Sequence, residues 1–143
     1  MELSAEFKND ILTECNKIPI VDTLGMEVVS LTDGHCEIKV RRKPSYDGVA
    51  KSFHGGLLMT IADSAACFAI FTKTGPFIKL TTTDMNIRFL APCFTDVTVR
   101  ATVIKLGRTL CPVSVDLYDA TGKHVAVAQV NYFLIDSLPV NDV

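Results

Sequence analysis

The residues best suited to chemistry lie in the segment SFHGGLLMTIADSAACFAIF, residues 52–71, where Asp63 is the one charged side chain in an otherwise apolar or small run. A carboxylate in such a place can serve as a general base or as a nucleophile. His54, Gly55 and Gly56 precede it, and glycines at the start of a helix leave N–H groups open to a ligand at the positive end of the helix dipole. Such donors suit the oxyanion that forms when a carbonyl or thioester is attacked.

Both features also have simpler interpretations. A lone aspartate in a helix often caps the amides of a neighbouring loop or faces solvent, and two glycines often only ease a tight turn. The H-G-G triplet is a weak motif by itself, so the surrounding elements have to show whether these groups meet in a site.

The element that carries Asp63 is predicted to be a long helix over residues 55–73, which ends near Gly75-Pro76. Spacings of three and four put a polar stripe on one side of this helix, formed by Thr60, Asp63, Ser64 and Cys67. An apolar face formed by Leu57, Ile61, Ala65 and Phe68 is predicted to pack against a sheet. Asp63 is therefore expected to face a cleft or a partner subunit.

The rest of the chain is predicted to be mostly strand. The N-terminal region 1–17 carries a short amphipathic helix over 4–17 with Ser4 as its N-cap. Alternating patterns predict strands over 35–41, 97–106 and 110–118, a run rich in threonine and β-branched residues predicts one over 78–90, and a first and a last strand are predicted over 24–32 and 124–135. Asp33-Gly34 predicts a hairpin turn, and residues 43–53 a loop. The order favours one α+β domain over 1–143, with a curved, largely antiparallel sheet of about six strands around the long helix. Such a sheet leaves edges open, so self-association is expected.

Composition excludes several classes of protein. The 143 residues, 48% hydrophobic and 21% charged with a net charge of −2, are typical of a globular protein without a nucleic-acid footprint. Five widely spaced cysteines and no signal-peptide pattern predict reduced thiols and a cytoplasmic location. The histidines are too dispersed for a metal site, and no cofactor is expected. Asp63 interrupts the longest apolar run, so no membrane span is expected.

Two blocks of sequence carry a resemblance to a known family. F-H-G-G-L-L-M-T-I-A-D, followed by T-T-T-D-M-N-I-R-F-L-A-P, is similar to the hotdog-fold acyl-CoA thioesterases of the phenylacetate-degradation type. The resemblance in element order covers nearly the whole chain. It implies a long central helix wrapped by a curved antiparallel sheet, acyl-CoA as substrate, and active sites at a dimer interface, often within a tetramer.

The resemblance also implies roles for individual residues. Asp63, nine residues after the motif histidine, matches the catalytic carboxylate, and Gly56 matches the glycine whose N–H polarises the thioester carbonyl. His54 matches the histidine that shapes the loop, and Gly55 beside it is assigned to substrate binding. Thr82 falls where the family commonly has a serine or threonine that helps to position the attacking water.

Binding of coenzyme A would need cations for its phosphates. The turn Lys105-Leu106-Gly107-Arg108 is similar to basic turns that serve this purpose in the family, so Lys105 and Arg108 are the candidates. Lys51, Lys73 and Lys79 are further candidates, and the alternative for each of these cations is that it is only solvated. Apolar residues for an acyl tunnel, equally suited to the core, are Phe53, Leu57, Phe68 and Phe89.

The chain departs from the family pattern in the loop before the helix. The family asparagine six residues before the motif histidine is replaced by Gly48, which follows Asp47, and the family glycine three residues before the histidine is replaced by Lys51. This departure favours a second hypothesis, a non-catalytic module that binds or senses acyl-CoA. A third hypothesis, a hydratase on the same scaffold, would need a histidine downstream of an aspartate at a spacing that the sequence does not show.

Overall fold

The computed structural model describes residues 2–135. Three α-helices and six strands follow one another in the order α1 (Ala5–Cys15), α2 (Pro19–Leu24), β1 (Met26–Thr32), β2 (His35–Val40), α3 (Gly55–Thr74), β3 (Leu80–Phe89), β4 (Val97–Val103), β5 (Leu110–Asp119) and β6 (His124–Leu134). The predicted order of a helix, two strands, a long helix and four strands is confirmed. Helix α2 was not predicted, although Pro19 at its first turn and Gly25 in a left-handed conformation (φ 65°) after its end are ordinary helix boundaries.

The six strands form one sheet in the order β1-β2-β4-β5-β6-β3, and every neighbouring pair is antiparallel. Helix α3 lies across one face of this sheet, with Ile61, Ala65 and Phe68 fully buried in the core as predicted. By length and composition α3 is apolar enough to cross a membrane, but its burial against the sheet is that of a core helix.

The C-terminal end of α3 is fixed to the turn between β1 and β2. The buried Thr72 hydroxyl accepts a hydrogen bond from Gly34 N–H (2.8 Å) and donates one to the Ala69 carbonyl (2.6 Å). Beside it, Lys73 forms an ion pair with Asp33 (3.1 Å). These contacts fix which side of α3 faces the sheet, and hence where the polar stripe lies.

Strand β3 is an edge of the sheet. It pairs with β6 from Leu80 to Phe89, with a bulge between Thr82 and Asp84, and no other strand within residues 2–135 pairs with its outer side. A ten-residue strand with an open edge is a ready template for pairing with another chain. The polar stripe of α3 lies toward this edge, as the contacts of Asp63 show below.

Candidate active site

Asp63 is half-buried between α3 and the two strands at the β3 edge. The Thr82 hydroxyl on β3 donates a hydrogen bond to Asp63 Oδ1 (2.7 Å), and the Tyr132 hydroxyl on β6 lies at 2.7 Å from the same oxygen. Within residues 2–135, Asp63 Oδ2 has no hydrogen-bond partner. One carboxylate oxygen is therefore held in place, and the other is left for a water molecule or a substrate.

Tyr132 is the residue of this cluster that the sequence analysis did not identify. Its ring is buried, and burial, with the nearby Cys67 and Asp63, raises the pKa of its hydroxyl well above the usual range, so the group stays protonated and donates. Tyr132 is paired with Thr82 in the register of β3 and β6. The sequence shows a tyrosine with a polar hydroxyl within the predicted last strand. It does not show the strand register that places this tyrosine opposite Thr82.

The first turn of α3 leaves one amide open. Leu57 N–H and Leu58 N–H donate to the His54 carbonyl, and the His54 side chain caps the helix by accepting a hydrogen bond at Nδ1 from Gly56 N–H (2.9 Å). Gly55 N–H has no partner within residues 2–135. The Gly56 amide, to which the resemblance assigns the thioester carbonyl, is thus already engaged with His54, whereas the Gly55 amide is available.

An open groove of about 350 Å³ lies beside Gly55. The Phe89 ring covers the glycine so closely that a Cβ added at Gly55 would lie 2.9 Å from Phe89 Cζ. Of the four residues suggested for an acyl tunnel, Phe53 and Phe68 are buried in the core and Leu57 is half-buried, whereas Phe89 is 52% exposed. Phe89 and the buried Phe53 both line this groove, and Phe89 is the more exposed of the two.

The carboxylate and the open amide are far apart within one chain. Gly55 and Asp63 are eight residues apart on the same helix, which corresponds to about 12 Å along its axis. A single substrate carbonyl cannot contact both groups of one copy.

The cysteine thiols do not offer a nucleophile. Burial raises the pKa of each, to about 12 for Cys15 and about 11 for Cys111, and above the usual range for Cys36, Cys67 and Cys93. A thiol that stays protonated is a poor nucleophile. Within residues 2–135, no group of three His, Cys, Asp or Glu side chains is arranged to hold a metal ion.

The basic turn lies at the end of the sheet nearest to Thr82. Leu134 N–H donates to the Thr109 carbonyl, and the sheet register places Cys111, Tyr132 and Thr82 side by side on β5, β6 and β3. Cys111 and Thr82 are therefore about 10 Å apart, two strand spacings. Lys105 and Arg108 in this turn are both exposed, whereas Lys73, a weaker candidate, is paired with Asp33.

The model of the thioesterase superfamily matches residues 50–126, which include His54, Asp63 and Thr82. The chain belongs to this superfamily. The human acyl-coenzyme A thioesterase 13 is 36% identical to it over 96 residues, which are 64% of this chain and 65% of the human protein. The chain thus matches slightly less than two thirds of that relative's length.

Two solved structures share the fold of this chain. The E. coli PaaI protein from the phenylacetic acid degradation operon superposes with a TM-score of 0.84 at 20% identity, covering 94% of this chain and 96% of that one. A thioesterase from Haemophilus influenzae superposes with a TM-score of 0.77 at 23% identity, covering 85% of each chain. The predicted hotdog fold, a curved antiparallel sheet around a central helix, is confirmed.

Proposed function

We propose that this chain, as one hotdog domain over 1–143, is an acyl-CoA thioesterase that hydrolyses the thioester of an acyl- or aryl-CoA to the free acid and coenzyme A. The main support for the proposal is that hydrogen bonds hold one oxygen of the Asp63 carboxylate and leave the other for a reactant. Asp63 Oδ1 is held by Thr82 and Tyr132, and Oδ2, at the β3 edge, has no partner among residues 2–135. A carboxylate fixed in this way is preorganised to take a proton from water or to attack directly.

The site needs two copies of the chain, which we propose form a homodimer or a homotetramer. Asp63 is bonded to Thr82 near the start of β3, whereas Gly55 packs under Phe89 at the end of the same strand. If two copies pair antiparallel through their β3 edges, a two-fold axis exchanges the two ends of the strand. The partner copy's helix start then comes alongside this copy's carboxylate, which removes the separation of about 12 Å.

The reaction then divides its work between the two copies. Asp63 accepts a proton from water as the water oxygen attacks the thioester carbon, or bonds to that carbon itself. The carbonyl oxygen, on which negative charge develops, accepts a hydrogen bond from the open Gly55 N–H of the other copy, at the positive end of that copy's α3 dipole. Gly56 N–H can add a second bond when His54 rotates away from it. When water attacks, the C–S bond breaks as the oxyanion collapses, and the leaving thiolate takes up the proton that Asp63 removed from water. When Asp63 attacks directly, the collapse expels the thiolate and leaves an acyl–Asp63 anhydride. Water then hydrolyses the anhydride to the free acid and Asp63, and the thiolate takes up a proton from that water.

Substrate binding follows from the surroundings of this centre. The Lys105 and Arg108 side chains, exposed at the end of the sheet that carries Thr82, would pair with the phosphates of coenzyme A. The groove beside Phe89 is lined mainly by apolar side chains and by no charged one, which favours an uncharged acyl group. Reduced buried thiols agree with a cytoplasmic enzyme.

A hydrolysis panel tests the proposed function. Short-chain, long-chain and aromatic acyl-CoA thioesters are incubated with the protein, and the released thiol is measured with DTNB. We expect at least one class to be hydrolysed with saturation kinetics. Binding of acyl-CoA by calorimetry without thiol release from any substrate would instead support the non-catalytic module, which the missing side chain at Gly48 favours.

Replacing Tyr132 with phenylalanine should lower kcat about 10-fold with little change in KM. The ring and its packing are kept, but Asp63 Oδ1 loses one of its two anchors and the carboxylate gains freedom. Steady-state kinetics and the melting temperature would be measured together. Tyr118→Phe on β5, whose ring stacks on His124 away from Asp63, is the matched control. Equal kcat values for the two variants would contradict this role.

A further inference from the structure

The Arg42 guanidinium forms hydrogen bonds to two loops near the start of α3, one within residues 43–53 and the other around residue 94. Arg42, which follows β2, bonds to both carboxylate oxygens of Asp47, and its Nε lies 2.9 Å from Asp47 Oδ1. The same group donates to the Lys51 carbonyl (3.0 Å) and to the Phe94 carbonyl (3.1 Å). The guanidinium is therefore bonded to three points on two separate segments.

The first of these segments leads directly into the helix start. His54 N–H donates to the Tyr46 carbonyl (2.8 Å), and the stretch between them closes on itself through Gly48 N–H to the Ser52 carbonyl (2.9 Å). The second segment meets the first where Phe53 N–H donates to the Cys93 carbonyl (2.8 Å). Any displacement of this pair of loops moves His54 and the amides that follow it.

The loop is held in a conformation that its own sequence disfavours. Lys51 has φ 57°, in the left-handed region, and it is the one non-glycine residue with positive φ within residues 2–135. A residue with a Cβ is strained in that region and stays there only where the surrounding contacts enforce it. The Lys51 carbonyl is bonded to Arg42. This hydrogen bond from Arg42 can therefore hold Lys51 in its left-handed conformation.

We propose that Arg42 is a positioning residue for the reaction. Its planar fork holds Asp47, the left-handed Lys51 turn and the 93–96 loop in one arrangement, and thereby fixes His54 and the Gly55 amide at the start of α3. The inference rests on the proposed thioesterase function for its kinetic readout, and on hydrogen exchange for a readout that needs no activity.

Arg42→Lys keeps the charge but removes the planar fork, because the compact ammonium of lysine cannot reproduce the spread of donors on Nε, Nη1 and Nη2 that reach Asp47, Lys51 and Phe94. In assays run well below the melting temperature of the variant, we expect kcat/KM to fall about 10-fold or more, mainly through kcat. Small misplacements of a reacting group are enough to slow the reaction by this factor. Deuterium uptake in peptides covering 47–58 should rise, while uptake in β5 and β6 stays the same. Arg100→Lys is the matched control, since Arg100 forms a similar ion pair with Glu37 (2.7 Å) on β4 and β2.

A second substitution tests the route through the loop. Lys51→Gly allows the left-handed turn without strain, so kcat/KM of the double variant Arg42→Lys, Lys51→Gly should lie within about threefold of that of Lys51→Gly alone. Lys51→Gly is the reference because the loss of the Lys51 ammonium, a candidate for binding coenzyme A, is common to both variants. A small effect of Arg42→Lys in the Lys51→Gly background would support the assignment. If Arg42→Lys lowers kcat/KM by the same factor in the Lys51→Gly background as in the wild-type chain, the assignment is overturned.

Three further results would overturn the proposal. These are a kcat/KM for Arg42→Lys within twofold of wild type, a loss no larger than that of Arg100→Lys, or unchanged exchange in 47–58. If the wild-type protein hydrolyses no acyl-CoA, the proposed function fails by itself, and the exchange experiment still decides whether Arg42 holds the helix start.

Discussion

Asp63→Asn is expected to lower kcat by at least about 100-fold, the scale of losing a general base. The amide keeps the shape of the carboxylate, and its oxygen still accepts hydrogen bonds from Thr82 and Tyr132. It can neither take a proton from water nor attack the thioester. Thiol release with the best acyl-CoA of the panel measures the effect, and thermal unfolding shows whether the fold is kept.

Asp116→Asn provides the comparison for this variant. Asp116 on β5 is bonded to His124 on β6 (2.9 Å). The substitution therefore removes the same charge from a partly exposed pair and leaves the contacts of Thr82 and Tyr132 unchanged. We expect its kcat to stay within twofold of wild type. Full activity in Asp63→Asn would remove the carboxylate from the mechanism, and loss of folding in that variant alone would give it a structural role instead.

Gly55→Pro is expected to lower kcat about 100- to 1000-fold, because it deletes the open N–H that would stabilise the oxyanion. Proline is well tolerated at the first position of a helix, and the preceding His54 already has an extended conformation (φ −57°, ψ 128°) compatible with it. Gly55→Ala is the matched control, since its Cβ meets the same Phe89 ring but its N–H remains. If the two variants lose equal activity, contact with Phe89 and not the amide is responsible.

The same variant tests whether the site is shared between copies. Asp63→Asn and Gly55→Pro, each nearly inactive, would be mixed, unfolded and refolded together. In a mixed dimer, one of the two sites combines an intact carboxylate from one copy with an intact helix start from the other, and random mixing of equal amounts makes half of the dimers mixed, so about a quarter of the wild-type activity should return. No recovery despite confirmed mixing would refute the proposed shared site.

Much of the fold could be predicted from local pattern. The 3.6-residue period around Asp63 and the stop at Gly75-Pro76 predicted α3 within one residue of its observed bounds, and alternation together with β-branched content and turn residues predicted the strands. These signals work because a half-buried strand and a core helix each impose a hydrophobic period on their own residues. The ends of strands were less accurate: the strand predicted over 97–106 ends at Val103, where the chain turns toward Gly107.

The sequence by itself determined the composition of the candidate site: a carboxylate on a buried helix, glycines at that helix's start, and a resemblance that pairs them with Thr82. Tertiary structure alone decided how these groups are used. The strand register brought Tyr132 against Asp63, the His54 side chain occupied Gly56 N–H and left Gly55 N–H open, and Arg42 reached across to Lys51 and Phe94. The physical reason is that hydrophobic periodicity is a local property of the chain, whereas hydrogen bonds between segments up to 69 residues apart depend on register and packing that no single segment encodes.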